Sequence, residues 1–303
     1  MKIALTRRGV AAGLVLLLTA PALAQTFDIQ KGVEYANHDG VSLRGDLYQP
    51  KAPGKYPAIV SVHGGGWQGG SPASYAHWGP WLAERGFVVF AVTYRLSKPD
   101  QKTYPQAVHD VRAAVQFLRG RGEAVKVDGD RIGMMGGSAG GHLTSLVALA
   151  HDEAPFKNAY PNDQFANVSA NVKAVVPFYG VFDMQRQWNY DVLNRPHDNI
   201  TQKFIGVPPT ENRKIYLEAS PMTYAVRAKN RTSFLIVVGT EDDIVERSQS
   251  DDFMLALKQA GFFARRIVVQ GAGHFFESDP LDEPFSRPAQ AAGPILRFFK
   301  ERL

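Results

Sequence analysis

From residue 58 onward the chain alternates short apolar runs with amphipathic stretches, and this alternation restricts the fold more than any other feature. Strand-like runs fall at residues 58–62, 87–92, 131–135, 172–177, 234–238 and 264–269. Helical patterns fill the intervals. Residues 75–84 form one, ended by Gly86. Another has Pro105 in its first turn, keeps Ala107, Val108, Val111, Ala114, Val115 and Leu118 on one face, and stops at Gly120 and Gly122. Three more cover residues 139–150, 247–259 and 288–302. Apolar strands alternating with helices predict an α/β fold, a mostly parallel sheet covered on both faces. Residues 33–37 and 41–48 read as a hairpin around Asp39-Gly40 ahead of that sheet. Residues 181–232 are long for a connection and carry only short helical pieces, the pattern of a lid-like insertion or binding loop.

The 303 residues contain no cysteine, which excludes disulfide scaffolds, thiolate metal sites, a Cys nucleophile and a lipid anchor on an N-terminal cysteine. Residues 1–24 look like a signal peptide. Lys2, Arg7 and Arg8 make a basic head, residues 10–20 an apolar stretch too short to span a bilayer, and Ala22-Leu23-Ala24 an A-x-A site before Gln25. Arg7-Arg8 also partly fits a twin-arginine signal, so the route could be either export system. Cleavage near Ala24-Gln25 would give a periplasmic or secreted protein with no stable membrane anchor, residues 25–303 forming one catalytic domain. It would also lower the net charge from +5 to +2. No Lys/Arg stripe remains to support nucleic-acid binding.

Gly136-Gly137-Ser138-Ala139-Gly140 fits G-x-S-x-G with a strand running in and a helix running out. That setting lifts a serine above the sheet edge as a nucleophile; read otherwise, Ser138 would simply cap a helix. A second motif, His63-Gly64-Gly65-Gly66-Trp67, follows the strand at 58–62. Its glycines can turn backbone N–H groups toward a ligand oxygen. With Ala139, Gly65 and Gly66 would form an oxyanion hole. His63 is expected to brace this loop rather than act as a base. Gly64, Gly66 and Gly69 also satisfy G-x-G-x-x-G, but Ser71-Pro72 replaces the required helix and no acid ends the next strand, so nucleotide binding is not expected.

With the order Ser, acid, His, the base must be His142, His151, His197 or His274. His142 lies one turn beyond Ser138 on the same helix and reads as structural. His151 ends that helix, and His197 sits in the insertion. His274 follows the last strand in Gly271-Ala272-Gly273-His274, at a strand's C-terminal end where ligands meet α/β sheets. The acid would come from Glu241, Asp242 or Asp243, directly after the strand at 234–238; spacing alone does not choose among them.

Taken together, His63-Gly-Gly-Gly-Trp67, Tyr94-Arg95-Leu96, Tyr104-Pro105-Gln106-Ala107, Asp130-Arg131-Ile132-Gly133, Gly136-Gly-Ser-Ala-Gly-Gly-His142 and Gly273-His274 resemble the α/β-hydrolase esterases. The pattern is similar to the hormone-sensitive-lipase-like and the acetyl-xylan/feruloyl-esterase-like branches, Trp67 leaning to the latter. The resemblance implies an α/β-hydrolase fold and, through Gly239-Thr-Glu-Asp242 with Val245 and Gln249-Ser250, Asp242 as the triad acid. Two departures are Val238 where His often precedes the glycine, and Glu246 where Pro is expected. It further implies a serine esterase with Ser138 as nucleophile, His274 as base and no metal or organic cofactor. The substrate would be a small-molecule or glycan ester with a short-chain, acetyl or feruloyl group. Trp67, Trp188 and Tyr190 are candidate substrate contacts. Arylformamidase or serine-peptidase-like chemistry on the same fold is the alternative. So is a non-enzymatic periplasmic carbohydrate-binding protein with Trp67, Trp188, Tyr190 and Tyr216 as sugar platforms.

Overall fold

The computed structural model describes residues 25–157 and 159–303; the expected signal peptide and its cleavage site before Gln25 begin outside that range. One eight-stranded sheet dominates, in the order β1-β2-β4-β3-β5-β6-β7-β8. β1 (Phe27–His38) and β2 (Val41–Pro50) form the antiparallel hairpin predicted from sequence. Asp39 and Gly40 both have positive φ, the backbone of a tight turn matched to strand twist. β2 pairs antiparallel with β4 (Val88–Val92). All later pairings are parallel, through β3 (Tyr56–Val62), β5 (Val127–Gly137), β6 (Ala174–Phe178), β7 (Ser233–Gly239) and β8 (Ala264–Val269).

Two cores result from the strands' two-residue period. Val60, Val62, Phe90, Met134 and Ile236 point to the face covered by α2 (Gln106–Arg121), α3 (Ala139–Ala150) and α7 (Arg247–Gln259). Ile59, Val89, Met135, Val176 and Val237 point to the opposite face, under α1 (Trp78–Ala83) and α8 (Arg287–Arg302). Burial on both sides explains why these strands are apolar throughout rather than alternating. The predicted helix at 75–84 is shorter than its pattern suggested: Pro72–Tyr75 forms a 3-10 turn, and only α1 is α-helical.

The insertion contains three short helices, α4 (Met184–Asn194), α5 (Ile200–Ile205) and α6 (Arg213–Glu218), two of them capped by asparagine side chains. From β3 the chain passes to β4 on one side and reaches β5 on the other. Such a reversal opens a crevice at the strands' carboxyl ends, the usual ligand site of an α/β sheet.

Candidate active site

Ser138 stands at the end of β5 with φ 53° and ψ −118°, a strained conformation that projects the side chain from the turn. Its N–H donates to Phe178 O at 2.9 Å and its carbonyl accepts the His142 N–H at 2.9 Å, so both flanking elements hold the turn. The neighbouring glycines are required by space. A Cβ on Gly140 would lie 1.9 Å from Val62 O, and one on Gly136 would lie 2.4 Å from Gly140 O.

The glycine loop after β3 lies against this elbow. A Cβ on Gly64 would come within 2.9 Å of Gly137 O. Gly65 has φ +109°, open essentially to glycine alone, and its carbonyl accepts the N–H groups of Gln68 and Gly69. Among the described residues, no protein acceptor takes the N–H of Gly65, Gly66 or Ala139. Two histidines brace the loop, His63 as expected from sequence and His142, which the sequence marked only as structural. His63 donates from Nδ1 to Gly64 O and stacks on Tyr94, whose hydroxyl donates to His63 O. His142 accepts from Trp67 Nε1 at 3.2 Å and donates from Nε2 to Ala219 O at 2.7 Å. Burial pushes both imidazoles down to about 4, so both are neutral at pH 7. Trp67 is also stacked on Phe204 of α5, and Ile200 covers Gly66. The insertion thus closes over the glycine loop.

His274 Nδ1 faces Asp242 Oδ2 at 2.8 Å, with both side chains almost wholly out of solvent. Asp242 Oδ1 accepts the N–H groups of Ile244 and Val245, each at 3.0 Å, which fixes the carboxylate plane. Glu241 and Asp243 are exposed. With Nδ1–H directed at the carboxylate, Nε2 carries the lone pair, and it has no hydrogen-bond partner among the described residues. The Tyr179 ring packs on the imidazole at 4.4 Å between centroids. No hydrogen bond joins Ser138 Oγ to Nε2; such contacts are commonly long in unliganded enzymes and tighten with substrate. The two loops nevertheless meet, because Glu277, three residues after His274, places Oε1 only 2.3 Å from where a Gly137 Cβ would be.

A strained serine, free backbone donors and a His–Asp pair at one sheet edge form an arrangement found on many hydrolases, and comparison narrows it. The BD-FAE family model matches residues 45–257, most of the chain. The chain belongs to the BD-FAE family. Among curated relatives, it is 33% identical over 77% of its length to a probable carboxylic ester hydrolase, LipM, of Mycobacterium tuberculosis, and 29% identical over 78% to esterase LipQ of the same organism. It spans about half the length of these relatives, 51% and 54%. Its fold matches a truncated carbohydrate esterase from gut microbiota with TM-score 0.76 at 23% identity, covering 92% of this chain and 98% of that one. Esterase Est2 of Thermogutta terrifontis, in a propionate-bound structure, gives TM-score 0.70 at 26% identity, covering 91% and 93%.

In this BD-FAE chain two aromatic residues are not where the sequence suggested. Trp67 has no exposed surface and is wedged between His142 and Phe204, so it is a core bracket and offers no face to a sugar. Tyr216 is likewise buried, its hydroxyl donating to Val207 O. Trp188 and Tyr190 lie on α4, partly exposed. Trp188 donates to Gln202 Oε1, and Tyr190 OH donates to Asp243 O, tying the insertion to the acid turn. His151 bonds the carbonyl of Val147 in its own helix, and His197 lines an open cleft with Lys102 and Lys203. Glu246, standing where proline was expected, binds Arg186 of α4 at 2.9 Å. Sequence reasoning missed Tyr179 and Glu277. Only the odd position of an acid after Phe275-Phe276 hinted at the second.

Proposed function

We propose that this chain is an exported serine carboxylic-ester hydrolase in which Ser138, His274 and Asp242 carry out a two-step acyl transfer. The observation that carries this reading is the 2.8 Å His274–Asp242 pair with Nε2 left free, at the same sheet edge as the strained Ser138. Ser138 Oγ attacks the ester carbonyl while Nε2 takes its proton, and Asp242 stabilises the resulting imidazolium. The carbonyl oxygen, now negative, is received by the N–H groups of Gly65, Gly66 and Ala139. Each such donor is worth about 100- to 1000-fold in rate. The C–O bond then breaks, His274 gives the proton to the departing alcohol, and water repeats the sequence on the acyl-enzyme.

Short-chain acyl groups such as acetyl, or the aromatic feruloyl group, on small alcohols or polysaccharides are the proposed acyl and alcohol parts of the substrate. The propionate complex of the Thermogutta terrifontis esterase supports a small acyl site, and the gut carbohydrate esterase supports a glycan alcohol. Export rests on the basic head, apolar stretch and Ala22-Leu23-Ala24 of the leader. Initial rates on C2 to C12 p-nitrophenyl esters, acetylated xylan and methyl ferulate test the substrate reading. We expect C2 to C4 to lead, while a long-chain optimum contradicts it. N-terminal sequencing of exported protein should begin at Gln25.

A further inference from the structure

Phe275, which opens the 3-10 turn Phe276–Ser278 and accepts the Ser278 N–H and Oγ–H on its carbonyl, combines three properties. Its backbone is left-handed, φ +69° and ψ 5°, a region costly for a bulky aromatic residue and natural to glycine. Its side chain is 51% exposed, so little burial offsets that strain. And it stands edge-on to the His274 imidazole, with ring centroids 4.5 Å apart and planes at 84°. The residues on either side are fixed: His274 by Asp242, and Glu277 by Trp78 Nε1–H donating to its carbonyl at 2.8 Å. Hydrogen bonds at His274 and Glu277 thus bracket an exposed aromatic ring.

The position relative to the base decides what that ring meets. In the transfer proposed above, the proton that His274 takes from Ser138 goes to the ester oxygen as its bond to the acyl carbon breaks. That oxygen must lie within hydrogen-bond reach of Nε2. A ring in contact with the imidazole is then close to the first atoms of the departing alcohol. We infer that Phe275 is a specificity-determining residue that selects alcohols presenting a flat apolar face next to the ester oxygen, as an aryl group or a pyranose ring does. This inference rests on the Ser138–His274 reading and goes beyond it by assigning the alcohol side of the site.

The test compares three acetate esters that share an acyl group: phenyl acetate, methyl 2-O-acetyl-β-xyloside and n-butyl acetate. Each is measured with wild type, Phe275→Gly, Phe275→Leu and Phe275→Tyr. For the Gly and Leu variants we expect KM to rise roughly three- to tenfold on whichever ring-bearing ester the site serves, with kcat within about twofold. n-Butyl acetate should change less than about twofold, and Phe275→Tyr should restore wild-type KM. Thermal denaturation of Phe275→Gly should show an unchanged or higher Tm, because the strain is relieved. A rise confined to phenyl acetate assigns an aryl alcohol, and one confined to the xyloside a sugar. Equal loss on all three esters, or no change on any, overturns the inference. Ser138→Ala separates this from the parent reading, since full activity there would remove the triad itself. If Phe275→Gly fails to fold, the Leu and Tyr variants give the same comparison.

Discussion

Asp242 reaches His274 Nδ1 with one carboxylate oxygen while its other oxygen is held by the backbone of Ile244 and Val245. Asp242 therefore fixes both the tautomer and the orientation of the imidazole, whereas its neighbours Glu241 and Asp243 are exposed. Asp242→Asn should lower kcat on p-nitrophenyl acetate by about 10⁴-fold. Glu241→Gln and Asp243→Asn should stay within about twofold. Steady-state kinetics of the three variants check the assignment, and comparable losses in all three would refute it.

Glu277 is buried against Gly137 of the Ser138 turn, with Oε2 lacking any hydrogen-bond partner among the described residues. Burial raises its carboxyl from 4.5 to about 7. The unfolded chain releases this proton near pH 4.5 but the folded one holds it to about 7, so folding loses stability across that window and the deficit persists above it. Glu277→Gln removes the titration. Its stability relative to wild type should therefore increase from pH 4 to pH 8 by on the order of 2–3 kcal/mol. Urea denaturation at the two pH values measures this, and a difference independent of pH would contradict it.

His38 shows the opposite logic far from the active site. It ends β1, buried, with Nδ1 2.7 Å from Asp110 and Nε2 2.7 Å from Asp163, while Tyr160 stacks on its ring. Asp110 is in turn forked by Arg95, which also binds Asp39 in the hairpin turn. Burial opposes the charge on His38, but the two carboxylates outweigh it and raise its pKa above 6.5. Its stabilising contribution is thus complete below 6.5 and declines as pH rises through the higher folded value. His38→Gln should cost about 3 kcal/mol at pH 6 and less at pH 9. Thermal melts at both pH values decide the point; a cost that grows with pH would contradict the doubly bonded, charged imidazole.

The sheet and the site were legible in the sequence to different depths. Sheet and helices followed from periodicity because strands buried on both faces must be apolar throughout, as in Ala58-Ile59-Val60. The strained turn at Ser138 was visible because such a turn demands small neighbours at fixed offsets, leaving a local trace. Spacing did not separate Asp242 from Glu241 and Asp243, since only the approach of the loop bearing His274 distinguishes them. Trp67 and Tyr216 were misplaced because an aromatic residue looks the same in a core as on a binding face. Their burial depends on the insertion, which docks Phe204 onto Trp67 and carries Tyr216 itself on α6, its hydroxyl held by Val207 O. Glu277 was missed because its setting comes from contact with Gly137, 140 positions earlier in the chain.

The central claim is that Ser138 is the nucleophile. Treating the protein with one equivalent of a fluorophosphonate and mapping the adduct by peptide mass spectrometry tests it most directly. We expect a single adduct on Ser138, complete loss of p-nitrophenyl acetate hydrolysis in step with labelling, and neither labelling nor hydrolysis in Ser138→Ala. An adduct on another residue, or full activity in Ser138→Ala, would contradict it.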